Sequence, residues 1–389
     1  MIKIGIVTIA IEKTYNYGNK LQTYALQAFL RENGYYPELI RYRSSYLNDT
    51  KKYNNDKKWK RLFEQSLQQT IDDSIRVIKR RIFRSSLRRL VEEKEKKFDH
   101  FLKDNIVSTD VYYSAASDLS NLQNTYDCFI AGSDQVWNPY WEGAESFYYL
   151  DFAPVGKRIA YAPSIAVPDI PDYLHDAMKK WISGIDFLSV REVSGKNLIA
   201  ESFGLDAKVV CDPVFLLSQE KWEQVAIDPE QKVPYFAVYI LGKKTIEIKQ
   251  KIHQLEKNFH LKAIDIYAID DPFAEFPGIG EFLGWIKNSE FVLTDSFHGT
   301  AFSLIFEKPI VTLERDFGYV TSSRIDSLLK FAGINYRTVE HILNNSENLD
   351  IDCYADTTKW NSFVNESKQY LLNAIKQSLR ALNNVTEET

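Results

Sequence analysis

The chain has 389 residues, which is too long for one ordinary hydrophobic core and predicts two domains. Its composition, 44% hydrophobic and 26% charged residues, is typical of a soluble globular protein. The sequence contains no run of about 18 apolar residues without a charge, which is the length that a membrane-spanning helix requires. The net charge is −5, and three cysteines at no metal-binding spacing indicate a reducing compartment without a disulfide framework.

The first half of the chain alternates short strand-like segments with amphipathic helices. Strands are predicted at 3–9, 37–42, 126–132, 158–164, 187–192 and 208–213. Helices are predicted at 19–33, through most of 55–104 and at 194–204. The first segment lacks the cleavage site of a signal peptide, so we expect a cytoplasmic protein.

The net charge is unevenly distributed along the chain. Residues 51–97 contain 16 Lys or Arg and 7 Asp or Glu, a balance of +9, so the remainder carries −14. A basic segment of this kind can contact phosphates or an anionic membrane surface, and a solvated helical face is the equally favoured alternative.

A second alternating set follows the segment 212–222, which is predicted to cross between domains. Its strands are predicted at 235–241, 262–268, 291–295 and 309–313, and its helices at 244–259, 279–288, 299–307 and 322–333. A long amphipathic helix begins near Thr358 and is expected to cross back to the first domain. The sequence thus predicts an α/β protein of two Rossmann-like, doubly wound domains that face a cleft.

The expected domain limits follow from this order of elements. They are 1–215 for the first domain, with a helical basic insertion at about 45–105, then 216–340 for the second domain and 341–389 for the tail. Ligands of doubly wound sheets bind beyond the carboxyl ends of strands. That rule selects the loops after 3–9, 126–132, 187–190, 235–241 and 291–294.

Two of these loops, in the first domain, carry groups suited to a sugar acceptor. The loop "YNYGNK" places Asn16, Tyr17 and Gly18 at a helix start, where free N–H groups can bind an anion or a hydroxyl. The loop "GSDQVWNP" supplies polar groups and an aromatic face from Ser133, Asp134, Gln135, Trp137 and Asn138. The alternative for the second loop is an Asx-type turn with its tryptophan in the core.

Two further loops supply cations. Arg191 follows the strand "FLSV" and can present a bidentate guanidinium to a carboxylate or phosphate, unless it forms a surface pair with Glu192. Gly242 and Lys243 precede a helix and form a weak phosphate-binding pattern that is not a Walker loop.

The last selected loop, "TDSFHG", is the candidate for proton transfer. An imidazole exchanges protons near neutral pH, so His298 suits general acid or base catalysis. A lone histidine is usually structural, but this one passes the strand-end rule and is followed by Gly299. Asp295 either orients His298 or caps the next helix.

Seven motifs in one order resemble the polysaccharide pyruvyl transferase family. They are "NYGNKLQTYALQ", "GSDQVWNP", "KRIAYAPSI", "LSVRE", "VVCDPVFLL", "TDSFHGTAFSLIF" and "SSRIDSLL", and they span roughly residues 1–335. The resemblance implies two lobes of the glycosyltransferase-B type. It also implies transfer of a pyruvyl group from phosphoenolpyruvate to a sugar as a ketal, with phosphate released. The family's arginine falls on Arg191 and its essential histidine on His298.

One position departs from the family pattern. Several members have an arginine two residues before the histidine, where this chain has Ser296, followed by Phe297. The donor's negative charge would then be held by other cations, for which Lys243, Arg315 and Arg324 are candidates. Phosphoenolpyruvate would serve as co-substrate, and no cofactor and no metal are expected.

The resemblance also suggests partners, and it leaves two other functions open. The acceptor would be a glycan, including an oligosaccharide linked to undecaprenyl diphosphate, which would bring residues 51–97 close to the inner membrane. Nucleic acid is not expected. The alternatives are a nucleotide-sugar-dependent glycosyltransferase, with "IDIYAIDD" (264–271) supplying an acidic residue, and a non-catalytic glycan-binding protein.

Overall fold

A computed structural model describes residues 1–9, 15–44, 84–115, 117–140, 144–268, 276–313, 322–334, 338–345 and 357–387. Its core is organised around two four-stranded parallel sheets, one in each half of the chain. Among the described residues, no helix is both long enough and apolar enough to cross a bilayer. The expectations for Arg315, for most of the segment 51–97 and for residues 269–271 concern positions outside these residues.

The first sheet has the strand order β2–β1–β5–β6, and all neighbouring strands are parallel. Its strands are β1 (Lys3–Val7), β2 (Tyr36–Leu39), β5 (Cys128–Ala131) and β6 (Arg158–Ala160). Two short parallel pairs join β3 (Tyr42–Arg43) to β4 (Tyr113–Ser114) and β7 (Ser189–Val190) to β8 (Lys208–Val209). The described helices of this half are α1 (Tyr17–Glu32), α2 (Arg84–Asn105), α3 (Ser120–Thr125), α4 (Asp172–Ser183) and α5 (Val193–Phe203).

The second sheet repeats this plan with the order β10–β9–β11–β12. Its strands are β9 (Tyr235–Tyr239), β10 (Lys262–Asp265), β11 (Val292–Thr294) and β12 (Ile310–Thr312). A 3₁₀ turn (Pro213–Leu216) and α6 (Gln219–Val225) join the two halves. The helices that follow are α7 (Ile246–Phe259), α8 (Ile279–Lys287), α9 (Phe297–Ile305), α10 (Ser322–Ala332), α11 (Val339–Asn345) and α12 (Thr357–Glu387).

Both strand orders reverse direction next to a central strand, and this fixes where a ligand can bind. The chain leaves β1 for β2 on one side and later places β5 on the other side; β9 stands in the same relation to β10 and β11. Such switch points open a crevice at the carboxyl ends of the two strands. The loops after β1 and β5, and those after β9 and β11, are therefore the expected binding loops.

The lobes contact each other through aromatic side chains near these crevices. The Tyr17 ring stacks on Phe282 with 4.2 Å between centroids, and its hydroxyl donates to the carbonyl of Pro277 at 2.7 Å. Helix α2 spans the same boundary, since Lys97 pairs with Glu281 at 2.8 Å. The lobes thus close on each other at the level of α1.

Helix α12 returns to the first lobe, as the sequence predicts. The Tyr370 hydroxyl lies 3.4 Å from the Ala160 carbonyl, and Ser378 donates to Gly156 at 2.6 Å. Ser367 Oγ accepts the backbone N–H of Cys211 at 3.0 Å. The α/β class, the two parallel sheets and the returning helix are confirmed, while the domain limits at 215 and 340 stay predictions.

Candidate active site

His298 stands where the two crevices meet. It lies in the first turn of α9, directly after β11, and its residue is only 6% exposed. The ring packs on Gly18 in the first turn of α1, so closely that a Cβ at that position would overlap Nδ1 and the neighbouring ring atoms. Gly18 is therefore required for the approach of α1 to the imidazole.

The other ring nitrogen faces a buried carboxylate from the first lobe. His298 Nε2 lies 3.6 Å from Asp212 Oδ2, an ion-pair distance that is longer than a hydrogen bond. Asp212 begins the 3₁₀ turn between the lobes, and its Oδ1 accepts the N–H of Val214 at 3.1 Å. The carboxylate is thus fixed by its own turn and directs its second oxygen across the lobe boundary.

Arg191 is the main charge partner of this carboxylate. Its Nη1 donates to Asp212 Oδ2 at 2.7 Å, and Ser133 Oγ donates to the same oxygen at 2.8 Å. Burial alone would raise the pKa of Asp212, but His298 and the Arg191 guanidinium hold this pKa well below its ordinary value. Asp212 is therefore ionised at neutral pH and offers an acceptor to Nε2 of His298, while Nδ1 lies against Gly18.

The environment of Arg191 is rich in negative charge. Besides Asp212, its guanidinium has Asp134 and Glu192 carboxylate oxygens at 3.9 Å each. Burial would lower the pKa of Arg191, but these three carboxylates raise it. The Phe297 ring covers the guanidinium, with the Cζ atom 4.1 Å from the ring centroid. Among the described residues, Nε and Nη2 have no partner within hydrogen-bond distance, and they face the Glu192 and Asp134 carboxylates.

Arg191 and Glu192 do pair, but the prediction that they do so at the surface is wrong, because both side chains are buried. Glu192 Oε1 accepts hydrogen bonds from Ser164 Oγ and from the backbone N–H of Ile165 at 3.0 Å each. Its role is to fix the loop after β6 against the site. The pair is therefore an internal one.

Asp295 neither faces His298 nor caps α9. Its two carboxylate oxygens accept the N–H groups of Leu241 and Gly242 at 2.7 and 2.8 Å. The helix cap is Ser296, whose Oγ accepts the Gly299 N–H at 3.4 Å. Both earlier interpretations of Asp295 are therefore corrected: it joins the β9 loop to the β11 loop.

Packing explains Gly299 without a ligand. A Cβ at Gly299 would overlap the Thr294 hydroxyl and come within 2.8 Å of the Tyr239 ring. Ser296, at 3% exposure, is likewise occupied as a helix cap. Ser296 and Gly299 thus have local structural roles, and contact of either residue with a donor stays a prediction.

The loop 132–138 divides into a site portion and a core portion. Asp134 adopts a left-handed φ of 71°, which aspartate tolerates, and with Ser133 it faces Arg191. Trp137 is fully buried, stacks on Tyr149 and donates its indole N–H to the Tyr148 carbonyl at 3.0 Å. The expected aromatic face for a sugar is therefore wrong.

Two amides of that loop also have internal partners. Asn138 donates to Gln135 Oε1 at 3.0 Å and accepts the Tyr140 N–H at 3.0 Å. Gln135 is half-buried, so one face of its side chain stays accessible. Most of this loop therefore forms the Asx-type turns that were the alternative prediction. Only Ser133 and Asp134 reach the candidate site.

The loop before α1 divides in a similar way. Asn16 is the N-cap, since its Oδ1 accepts the Asn19 N–H at 3.4 Å, and it is half-buried at the crevice. Tyr17 is fully buried in the contact between lobes, which corrects its assignment to the acceptor. Gly18, between His298 and α1, is the residue of this loop nearest the reactive ring.

The candidate cations occupy different places. Lys243 is exposed and follows Gly242, whose N–H is held by Asp295, so its loop adjoins the His298 turn. Arg324 is 5% exposed in the first turn of α10, a helix that packs on α9. Lys20, which the sequence gave no reason to select, is fully buried in α1. Asp265 of the acidic stretch binds Lys244 at 2.7 Å.

The sequence is similar to one known protein family over most of its length. The family model named polysaccharide pyruvyl transferase matches residues 16–316. No curated protein sequence matches the chain.

Solved structures with similar folds include nucleotide-sugar epimerases. A UDP-N-acetylglucosamine 2-epimerase from Rickettsia bellii is 10% identical, with TM-score 0.49 and 100% of both chains covered. An S. aureus MnaA–UDP structure is 12% identical, with TM-score 0.49, covering 98% of this chain and 97% of that one. The UDP-GlcNAc 2-epimerase from Methanocaldococcus jannaschii is 11% identical, with TM-score 0.45 and 99% of both chains covered. These similarities are too distant to indicate a ligand.

Proposed function

Because the matched region covers most of its length, the chain belongs to the polysaccharide pyruvyl transferase family, and we propose that it transfers the pyruvyl group of phosphoenolpyruvate to a sugar as a ketal. The observation that carries this proposal is the imidazole of His298, held between Asp212 of the first lobe and Gly18 of α1. Beside this imidazole, the described part of the site holds the buried Arg191 guanidinium, which offers positive charge to an anionic donor, and the polar residues Ser133 and Asp134.

The chemistry requires one proton donor and one acceptor. We assign the proton donation to the imidazolium form of His298, which keeps its Nε2 proton towards Asp212 and delivers its Nδ1 proton to the methylene carbon of phosphoenolpyruvate, so that C2 becomes electrophilic. A sugar hydroxyl adds to C2 and returns a proton to the site. A second hydroxyl then displaces the phosphate, and its proton leaves with the phosphate, so the ketal forms without an oxidant or a metal.

The anionic donor needs positive charge in a site that contains three carboxylates. Arg191, whose Nη1 is bonded to His298's partner Asp212, is the buried cation nearest the imidazole, and the N-terminus of α9 adds favourable N–H groups. Lys243 is the exposed cation next to this turn. His298 and Arg191 are both buried, so a substrate at this site is held away from bulk water.

The test is a product assay. The protein is incubated with phosphoenolpyruvate and a panel of aryl glycosides of galactose, glucose, mannose and N-acetylhexosamines, and product mass and phosphate release are measured. We expect one glycoside to gain the mass of a pyruvyl ketal with stoichiometric phosphate. Release of nucleotide from UDP-sugars without any phosphoenolpyruvate-dependent product would instead establish a glycosyltransferase.

Gly18→Ala is expected to lower kcat/KM by about 10²-fold, because the new methyl group displaces the His298 ring by roughly an ångström. The overpacking is expected to destabilise the fold by about 1–3 kcal/mol, which thermal melting measures separately. Gly278→Ala is the matched control, since a Cβ there meets the Lys97 side chain at 3.3 Å and ordinary backbone angles apply. Full activity of Gly18→Ala would show that α1 does not position the imidazole in the reactive state.

A further inference from the structure

A groove along α12 takes no part in the site described above. It has a volume of about 530 Å³ and lies between the exposed side of α12 and the β7–β8 pair of the first lobe. Four amide side chains line it: Asn365, Gln369, Asn373 and Gln377. Their spacing of four residues places them one above another on one face of the helix, over a length of about 18 Å.

These amides are available to a ligand. All four are exposed, and none makes a hydrogen bond, ion pair or ring contact with another described residue. Each amide offers a donor and an acceptor side by side, which matches a pair of neighbouring hydroxyl groups. The walls of the groove add the rings of Phe187 and Tyr370.

The groove offers no net positive charge to an anionic ligand. Its two charged side chains, Lys208 and Glu366, lie 3.9 Å apart at the surface and neutralise each other. A phosphate or nucleotide would require an excess of positive charge. A neutral, hydroxyl-rich chain of about the length of the amide row is the ligand whose chemistry fits.

The groove is separate from the reactive centre but lies within reach of a chain. Phe187 lies two residues before β7, and Lys208 is the first residue of β8. Arg191 and Asp212 follow these two groove residues four positions later in the chain. Four residues of chain span at most about 14 Å, even when fully extended. One sugar cannot occupy both places, whereas an oligosaccharide can.

We propose that the α12 amide groove binds a neutral oligosaccharide portion of the acceptor, remote from the sugar that is pyruvylated. This inference rests on the proposed function for the identity of the ligand as an acceptor. It makes the preferred acceptor a chain of several sugars rather than a single glycoside, because remote binding energy then lowers KM.

The double variant Gln369→Ala/Asn373→Ala tests the groove. With a tetrasaccharide of the sugar that the enzyme pyruvylates, we expect KM to rise about tenfold at unchanged kcat, since two hydrogen-bonding amides are lost. With the corresponding aryl monosaccharide, both parameters should stay at the wild-type values. Lys376→Ala/Arg380→Ala, two exposed side chains on the same helix outside the groove, is the matched control.

A binding experiment separates this inference from the proposed function. Saturation-transfer NMR with neutral tetrasaccharides of glucose, galactose, mannose and N-acetylhexosamines should show binding to the wild type that the groove variant loses. That result would support the groove even if phosphoenolpyruvate gave no product. Equal loss of activity towards short and long acceptors, or equal binding by wild type and variant, would contradict oligosaccharide binding in the groove without contradicting pyruvyl transfer.

Discussion

His298→Gln is expected to lower kcat for pyruvyl transfer by about 10²–10⁴-fold, the usual contribution of a positioned proton donor. Glutamine keeps much of the volume and a polar end at the Asp212 carboxylate, so the lobe contact is retained while proton transfer is lost. Because the His298 side chain is buried, water from the solvent cannot readily replace it as the proton donor. Steady-state kinetics with a saturating glycoside and phosphoenolpyruvate measure the change.

His253→Gln is the control for this substitution. His253 belongs to the same lobe and also faces a carboxylate, Glu256 at 3.2 Å, but it is exposed on α7. Its replacement should leave kcat unchanged. If His298→Gln retained a kcat near that of the wild type, the proton would have to come from another group.

The architecture and the position of His298 could be predicted because both depend on local patterns. Buried apolar strands alternate with amphipathic helices, and this pattern fixes parallel sheets whose carboxyl ends bind ligands. His298 follows β11 and Gly18 lies in the first turn of α1, so the strand-end rule places both at the crevices. What the rule cannot give is their mutual contact, which depends on how the two lobes close.

Asp212 was missed for a specific physical reason. The apolar run 208–213 predicts a strand through Asp212, but β8 ends at Val209 and the chain turns into a 3₁₀ segment at Pro213. Asp212 thus lies beyond the carboxyl end of a strand, where the same rule would have selected it. The boundary of a short strand depends on pairing with β7, which apolar content alone does not reveal.

Trp137 shows the opposite limit. A tryptophan among polar residues suggests a sugar-stacking surface, but the 3₁₀ turn Ser146–Tyr149 packs on it and supplies Tyr149 as a stacking partner. Sequence patterns do not indicate which loop covers which side chain. Burial of a large aromatic ring is also the energetically favoured outcome, since it removes extensive apolar surface from water.

Asp212→Asn is expected to impair both stability and activity. At neutral pH the substitution leaves Arg191 buried without its closest counter-charge, and loss of one partner of a buried pair typically costs about 3–5 kcal/mol. Asp134 and Glu192 at 3.9 Å retain part of the compensation, so the lower end of this range is expected. Urea denaturation at pH 7 gives the difference in unfolding free energy.

The pH dependence of this difference identifies its cause. The pKa of Asp212 is depressed in the folded state, so its stabilising contribution is complete above the unfolded pKa, about 3.9, and is lost as pH falls towards the folded pKa. The gap between wild type and Asp212→Asn should therefore narrow below about pH 4. A gap that stays constant through this range would mean that the carboxylate contributes by shape rather than by charge.

Asp212→Asn also tests whether the Asp212 carboxylate positions the His298 ring for the reaction. Asparagine can still accept the Val214 N–H, but its amide N–H₂ would face donors on Arg191 and Ser133, so the ring of His298 loses its acceptor. We expect kcat to fall about 10²-fold or more. Asp265→Asn, which breaks an exposed pair with Lys244 worth no more than about 1 kcal/mol, should leave kcat unaltered. If kcat falls in Asp212→Asn and not in Asp265→Asn, the contact between Asp212 of the first lobe and His298 of the second lobe is what positions the imidazole for catalysis.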